Sequence, residues 1–504
     1  MAPRSWDLVV LLAGALTPLG FAPFGLWLLP IPCLGVLLWV LPFGTIRRSF
    51  WRGWLFGLGM FGTGTSWVVE SFQHSNVALP SALILTATMV GFLAIFPALF
   101  ATVSRFCSGN RRGAISLITL PAAWVLAEWG RGTVLTGFSF LQLGYSQIDS
   151  PVSALAPVAG VYGASWAVAF SAAVLVWGFS HTAVHVVKAL AVVLACWGSL
   201  WVAQDLRWTE FDGTQLDVAI VQGNIPQALK WRPEYRQRSF DIYRDYTRKH
   251  WDADLIVWPE TALPGMYDSF SSELSALERE AVANNTELLI GVPSSQETVG
   301  GQYRYFNSVV SVGSSRAIYN KRHLVPFGEF VPRQRLFQPL IDLFDWPVSN
   351  FSHGQPAQTT INVAGQIIGI SICFEIAFGK DIIAALPSAG LLVNVSNDAW
   401  FGESIGPHQH LQMARWRAKE AGRFLVRATN TGVSAFVQPS GQLAGVLPQF
   451  AETSASRRVD IMRGATPYAL SGDLPVLALL LLILVVAAYV QRTRLPSIRE
   501  SNIS

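Results

Sequence analysis

Charge is scarce in this chain. Only 13% of its 504 residues are Asp, Glu, Lys or Arg, against about 25% in soluble domains. A protein that is soluble throughout is thereby excluded. The formal net charge of +4 is small, and no Lys/Arg-rich run appears outside short loops, so nucleic acid is excluded as a partner. Cysteine is scarce too: there are four, Cys33, Cys107, Cys196 and Cys373. No CxxC or Cys/His spacing points to a metal. The first three lie in or beside apolar segments, where a thiol is a small packing residue. That leaves Cys373 as a free thiol in the polar part of the chain. No A-x-A site follows the first apolar run, so a cleaved signal peptide is not expected, and no internal repeat is evident.

Apolar residues are abundant instead. They make up 51% of the chain, with nineteen Trp and a mean hydropathy of +0.38. Apolar runs cover about 6–24, 26–44, 53–72, 80–103, 114–130, 153–178 and 187–204, and an eighth lies at 474–490. Most approach the ~20 residues that a spanning helix needs. The first two hold Pro18, Pro23, Pro30 and Pro32 and are expected to tilt or break. The expectation is a multi-pass α-helical membrane domain: about seven helices in 1–204, an eighth at 474–490 and a tail at 491–504. Loop charges set its orientation. Arg47, Arg48 and Arg52 follow the second run; Arg105, Arg111 and Arg112 the fourth; His181, His185 and Lys188 the sixth; Arg492, Arg494 and Arg499 the last. Seven spans, a large domain and one more span put all four clusters on the cytoplasmic side. Both termini are then cytoplasmic, and the large domain lies outside the inner membrane. Glu128 and Arg131 sit where a span should end. They read equally as a headgroup site and as an interfacial ion pair among anchoring tryptophans.

Residues 215–462 change character: apolar runs shorten to strand length and turn residues punctuate them. The pattern predicts strands at 216–222, 255–258, 288–292, 308–312, 317–319, 366–372, 391–395, 424–428, 434–438 and 457–461. It predicts helices at 234–249, 271–284, 380–386 and 407–423. Strands alternating with helices, with hairpins late on, predict a layered α/β domain. Segment 323–358 lacks periodicity and reads as a functional loop.

Three segments carry chemistry. Leu-Ile-Val-Trp-Pro-Glu-Thr puts Glu260 just past a strand, with Pro259 forcing an extended exit. Ile-Tyr-Asn-Lys puts Lys321 after a strand, with Glu329 in the loop beyond. Ile-Ser-Ile-Cys-Phe-Glu-Ile delivers Cys373 from a strand end like a nucleophile elbow, with Glu375 two places on. A free thiol has a pKa near 8.5 and reacts as the thiolate. A carboxylate takes its proton and returns it to a leaving group, and a lysine stabilises an oxyanion. Glu260, Lys321 and Cys373 supply each role once. Singly, each also reads as a turn glutamate, a surface lysine or a core thiol.

The chain resembles the carbon–nitrogen hydrolase (nitrilase) superfamily and, within it, the apolipoprotein N-acyltransferases of bacterial inner membranes. The resemblance rests on Phe-Ala-Pro-Phe at 21–24, Gly-Tyr-Ser-Gln at 144–147, Val-Gln-Gly-Asn-Ile-Pro-Gln at 221–227 and Trp-Pro-Glu at 258–260. It continues through Tyr-Asn-Lys-Arg-His-Leu-Val-Pro-Phe-Gly-Glu-Phe-Val-Pro at 319–332, Ile-Cys-Phe-Glu at 372–375, Ser-Asn-Asp-Ala-Trp-Phe-Gly at 396–402 and the segment from Arg427. It implies a nitrilase-like α-β-β-α sandwich for 215–462. It implies Glu260 as general base, Lys321 as stabiliser of the tetrahedral intermediate and Cys373 as the acyl-bearing nucleophile. Glu329 and Glu375 are implied as supporting carboxylates, and Trp231, Phe374 and Trp400 as substrate contacts. Phe374 departs from the family, which often carries Tyr there; an aromatic packing role survives the change. The resemblance also implies a phospholipid acyl donor, chiefly phosphatidylethanolamine, and diacylglyceryl-modified apolipoproteins as acceptors. It implies no metal or organic cofactor; nothing in the chain demands an oligomer, so a monomer is expected. Two other functions compete: a membrane-tethered nitrilase or amidase in which water resolves the thioester, and a transporter or lipid-binding scaffold with a decayed hydrolase domain.

Overall fold

The computed structural model describes residues 5–75, 77–108, 115–298, 300–335, 338–339 and 349–500. Arg111, Arg112 and the stretches 336–337 and 340–348 of the long loop lie outside the described residues, as do the side chains of Cys107, Arg492, Arg494 and Arg499. The chain forms two compact units. One comprises the residues up to Ser66, Leu83–Leu206 and those from Ser471; the other comprises Trp67–Ala82 and Arg207–Leu470.

The first unit is helical. Its helices are Ser5–Leu16, Pro30–Val40, Ile46–Gly64, Ile95–Ser108, Ser116–Arg131, Ala156–Phe179, Ala183–Ala203 and Leu474–Glu500, with Leu79–Leu93 entering it at Leu83. Among the described residues, three helices are long and apolar enough to cross a membrane: Leu79–Phe106, Pro151–Phe179 and Ala183–Ala203. Ser5–Gly20, Pro30–Val40 and Leu474–Val490 are apolar but shorter. The count of eight spans is therefore not confirmed by helix length, and proline is the physical reason at the N-terminal end. The first helix gives way after Leu16 to a 3-10 turn, Thr17–Gly20, that holds Pro18, and the second starts only at Pro30 and runs 11 residues. At 1.5 Å per residue that is about 16 Å, against a hydrocarbon core of about 30 Å. Helices Ser5–Leu16 and Ile46–Gly64 cross in near backbone contact. A Cβ on Gly14 would lie 2.1 Å from the Phe56 carbonyl oxygen, and one on Gly59 2.2 Å from that of Leu11. This is the small-residue crossing that lets membrane helices pack closely.

Glu128 and Arg131 are both buried and hold the chain that follows their helix. Glu128 Oε1 accepts from Trp124 Nε1 at 2.9 Å and from the Leu143 amide at 2.8 Å. Arg131 Nη1 donates to the carbonyls of Phe138, at 2.6 Å, and Phe140. At one end of this unit Arg105 donates to the Gly44 carbonyl at 3.1 Å, and Arg48 and Arg52 pair with Asp7.

Among the described residues the second unit is built on twelve strands: β1 (Thr209–Gln222), β2 (Leu255–Val257), β3 (Glu287–Glu297), β4 (Tyr303–Val312), β5 (Ile318–Asn320), β6 (Thr360–Val363), β7 (Gln366–Ile372), β8 (Leu391–Ser396), β9 (Leu425–Thr429), β10 (Ala435–Val437), β11 (Leu443–Val446) and β12 (Thr453–Gly464). They form two six-stranded sheets, ordered β12-β1-β2-β3-β4-β5 and β11-β10-β9-β8-β7-β6. Parallel pairing at β1-β2-β3 and β7-β8-β9 is flanked by antiparallel pairs. Side chains alternate faces along a strand. Val218 and Ile220 of β1 therefore meet Ile370, Ile372 and Val393 of the other sheet in one core. Their neighbours Ala219 and Val221 face outward, onto Phe240 and Tyr243 of helix Pro233–Thr247 and Leu274 and Leu277 of helix Ser271–Ala283. Helix Gly406–Ala421 covers the second sheet in the same way, packing Leu411, Ala414 and Ala418 on Leu392 and Ala435. The result is an α-β-β-α sandwich. With both faces of each sheet covered, the central strands have no polar face, and β2 reads as unbroken Leu-Ile-Val.

Candidate active site

Glu260 lies three residues beyond β2, Lys321 directly after β5 and Cys373 directly after β7. Strand ends in a layered α/β domain face one crevice, and here the three side chains converge. Lys321 is 1% exposed. Its Nζ lies 3.5 Å from Glu260 Oε1 and 2.9 Å from the Glu329 carboxylate. Burial pushes the ammonium down, but the carboxylates of Glu329 and Glu260 and the thiol of Cys373 outweigh it, and its pKa ends above the ordinary lysine value. Lys321 is thus a fixed cation. Asn307, from β4, donates both amide hydrogens, at 2.7 Å to Glu260 and 2.8 Å to Glu329. The Asn397 backbone amide reaches Glu260 Oε2 at 2.8 Å. The Glu260 carboxylate is therefore held by donors from β4 and from the residue just past β8.

Cys373 stands between β7 and a 3-10 turn, Cys373–Ala377, with φ +51°. That left-handed backbone is uncommon for a residue with a side chain, and it turns the thiol off the strand. Neighbours crowd the side chain although it remains partly exposed. Burial pushes the thiol well above its ordinary value. The Glu260 and Asp398 charges add to this, while Lys321 and a hydrogen bond with Ser396 oppose it. The direction of that shift favours the neutral thiol over the thiolate.

Glu329 and Glu375 both lie in this structure, with different work. Glu329 pairs with Lys321 and accepts from the Val325 amide at 2.8 Å. Glu375 is buried and collects the amides of Ile372, Arg322 and His323 at 2.8, 2.7 and 3.0 Å, and the Tyr319 hydroxyl at 2.9 Å. Burial pushes its carboxyl up, against those amides and Lys321. Its place is to staple the turn after Lys321 to the turn at Cys373. Phe374 packs edge-on against Phe378 and His323, at 5.0 and 5.8 Å between ring centres. Trp231 is 56% exposed and follows Lys230, whose Nζ lies 3.5 Å from the Glu260 carbonyl. Trp400 is half-buried in the turn Asp398–Phe401. That turn is braced by the early segment Trp67–Ala82: Ser71 donates to the Trp400 carbonyl at 3.1 Å, Trp67 to Gln409 at 3.2 Å, and Trp67 meets Phe401 edge-on at 4.7 Å.

Sequence reasoning missed several members. Asn307 and Asn397 fix the Glu260 carboxylate. Lys230 is fully buried, and burial brings its pKa down to about 7 against the pull of Glu260. Asp398, His410 and Arg427 form a buried cluster behind Cys373. Only Arg427 had a signal of its own, a charge inside an apolar strand, which must find a partner.

The turn between Pro259 and Thr261 is pressed against β3. A Cβ on Gly291 would lie 2.2 Å from the Pro259 carbonyl oxygen and 2.7 Å from Glu260 Cα. Gly291→Ala is expected to displace Glu260 and cost roughly a hundredfold in turnover, since a misplacement of about 1 Å does so. Steady-state turnover beside a thermal melt checks this, and normal turnover in a folded variant would refute it.

Residues 13–174 match the apolipoprotein N-acyltransferase N-terminal domain, and residues 217–467 match the carbon-nitrogen hydrolase family. An apolipoprotein N-acyltransferase of Methylococcus capsulatus is 42% identical over 477 residues, covering 94% of each chain. The chain belongs to the apolipoprotein N-acyltransferase family. Relatives of that name from Photobacterium profundum and Azotobacter vinelandii are 39% and 40% identical and cover 92% of the chain and 90% of their own length. The sandwich that carries Glu260, Lys321 and Cys373 is accordingly the carbon-nitrogen hydrolase fold of this family, preceded by the family's own N-terminal domain.

Proposed function

We propose that the protein N-acylates the terminal S-diacylglyceryl-cysteine of apolipoproteins, taking the acyl group from a phospholipid and carrying it as a thioester on Cys373. The observation behind this reading is a buried lysine bracketed by Glu260 and Glu329, beside a cysteine presented from a left-handed turn, in a chain of this family. The thiol of Cys373 attacks the sn-1 ester carbonyl of phosphatidylethanolamine, and its proton passes to Glu260. Lys321 faces the oxyanion. The tetrahedral intermediate collapses, and the lysophospholipid alkoxide leaves with the proton from Glu260. The incoming α-amine then attacks the thioester, Glu260 takes a proton from it, and the thiol is restored as the amide forms.

The reading places 1–204 in the membrane with seven spans, 215–462 on the periplasmic side as the catalytic domain, an eighth span at 474–490 and a cytoplasmic tail at 491–504, in a monomer of the inner membrane. Supporting that orientation, Arg48, Arg52 and Arg105 gather with Asp7 and Gly44 at one end of the helical unit. Trp231 and Trp400, with Phe374, offer aromatic surface to acyl chains; the exposure of Trp231 favours such a role.

Intact mass measurement after incubation with phospholipid alone tests the reading. An adduct of acyl mass on Cys373, lost in Cys373→Ala and discharged onto a diacylglyceryl peptide, is expected. Acylation that survives in Cys373→Ala would sink it. Release of labelled acyl as free fatty acid, with none on the peptide, would make the protein a hydrolase.

A further inference from the structure

Behind the nucleophile lies a buried polar cluster with no part in the chemistry above. Arg427 of β9 donates from Nη2 to Asp398 Oδ2 at 2.8 Å, and from Nη1 to Asn394 of β8. Asp398 Oδ1 accepts from Ser396 at 2.7 Å and lies 3.0 Å from His410 Nδ1. His410, in helix Gly406–Ala421, reaches forward: its Nε2 lies 3.1 Å from the carbonyl oxygen of Cys373. Arg427, Asp398 and His410 are each at most 1% exposed. The chain of contacts therefore runs from β9 to the peptide that carries the nucleophile.

We propose that His410 is a positioning residue for acyl transfer, its Nε2–H gripping the Cys373 carbonyl and so fixing the backbone that presents the thiol. A carbonyl only accepts hydrogen bonds, so Nε2 must carry a proton. The neutral ring then leaves Nδ1 to accept from Arg427 Nη2, 2.9 Å away. An imidazolium would donate from Nδ1 to Asp398 instead. Both forms keep the grip on Cys373, so the proposal does not depend on which is present. The grip matters because Cys373 has φ +51°, a conformation that relaxes unless its surroundings hold it. Asp398 and Arg427 act one step back by setting the ring's angle, as a carboxylate does for a catalytic imidazole. Asp398 also opens the turn that carries Trp400, so the same cluster anchors the thiol and the substrate-facing loop.

The inference rests on Cys373 as the nucleophile, and the test separates the two. In the full-length chain, reconstituted with phosphatidylethanolamine and a diacylglyceryl peptide, His410→Gln, His410→Asn and His410→Ala are compared. Glutamine places an N–H where Nε2 stood; asparagine places one only where Nδ1 stood. His410→Gln is expected to stay within about threefold of the natural kcat, while His410→Asn and His410→Ala fall about 10- to 100-fold, with KM for the phospholipid unchanged. A purely structural role in the Asp398–Arg427 cluster predicts the reverse order, with asparagine the better replacement, and that result overturns the proposal. Equal losses, or losses confined to KM, overturn it too. A second measurement needs no variant: nitrogen-15 histidine spectra of the natural protein should show His410 protonated at Nε2, and a bare Nε2 would refute the grip. Acylation surviving in Cys373→Ala would instead remove the nucleophile reading, whatever the histidine variants do.

Discussion

Lys321→Met is expected to leave less than about a thousandth of the acyl-transfer rate and to lower the melting temperature of the catalytic unit. Two losses combine. Removing a donor aimed at a developing oxyanion costs about a hundred- to a thousandfold by itself. The second loss comes from the carboxylates. Glu260 and Glu329 both lie within 3.5 Å of Lys321 Nζ, and Asn307 bridges them. Without the ammonium, two carboxylates face each other across one amide in a buried site, and one of them takes up a proton. Where that proton settles on Glu260, the base is lost as well. Leaving the partners of a buried ion pair uncompensated costs about 3–5 kcal/mol, which a thermal melt reads directly. Lys321→Arg does not rescue, because a planar fork does not occupy the place of a compact ammonium held between two carboxylates. Turnover of the methionine variant within tenfold of the natural chain would show that Lys321 neither stabilises the oxyanion nor holds the base.

The sandwich was legible because its central strands have both faces covered. Runs such as Leu255–Val257 and Leu391–Val395 have no polar alternation to hide them, and the helices over them carry the opposite pattern. Two strands were not found, β6 and β11. Each is a four-residue sheet edge, and β11 is half-exposed along its length, so neither leaves a hydrophobic run. Glu260, Lys321 and Cys373 were placed at strand ends by the apolar runs before them, and that is where they lie, past β2, β5 and β7. What aims these groups was not legible. Asn307 lies mid-strand, Asn397 acts through its backbone amide, and His410 arrives from a helix with an unremarkable polar pattern. A donor's target is set by three-dimensional approach, and no spacing along the chain records it. Trp67–Ala82 was hidden for a different reason: it adjoins two apolar runs, so composition assigns it to them, yet its contacts are with Trp400, Phe401 and Gln409.

Glu260→Gln separates catalysis from thiol reactivity, because the two should move in opposite directions. The substitution keeps the shape of the side chain and an oxygen for the Asn397 amide, but removes both the charge and the proton acceptor. Loss of a general base costs about a hundred- to ten-thousandfold, so acyl transfer should fall by that much. The thiol responds differently. Burial is the larger cause of its raised pKa, and the Glu260 charge is the next. Removing the charge stabilises the thiolate relative to the thiol and brings the pKa part of the way back down. At a fixed pH below that pKa the thiolate fraction rises, and alkylation of Cys373 by iodoacetamide, which follows the thiolate, should become faster in the variant that has lost its turnover. In the natural chain alkylation should keep rising through pH 9, since the thiol titrates above its ordinary value. The glutamine variant should show the same rise displaced to lower pH. Alkylation that slows in step with acyl transfer would mean that Glu260 draws the proton from the thiol in both reactions, and that its charge is not what holds the thiolate fraction down.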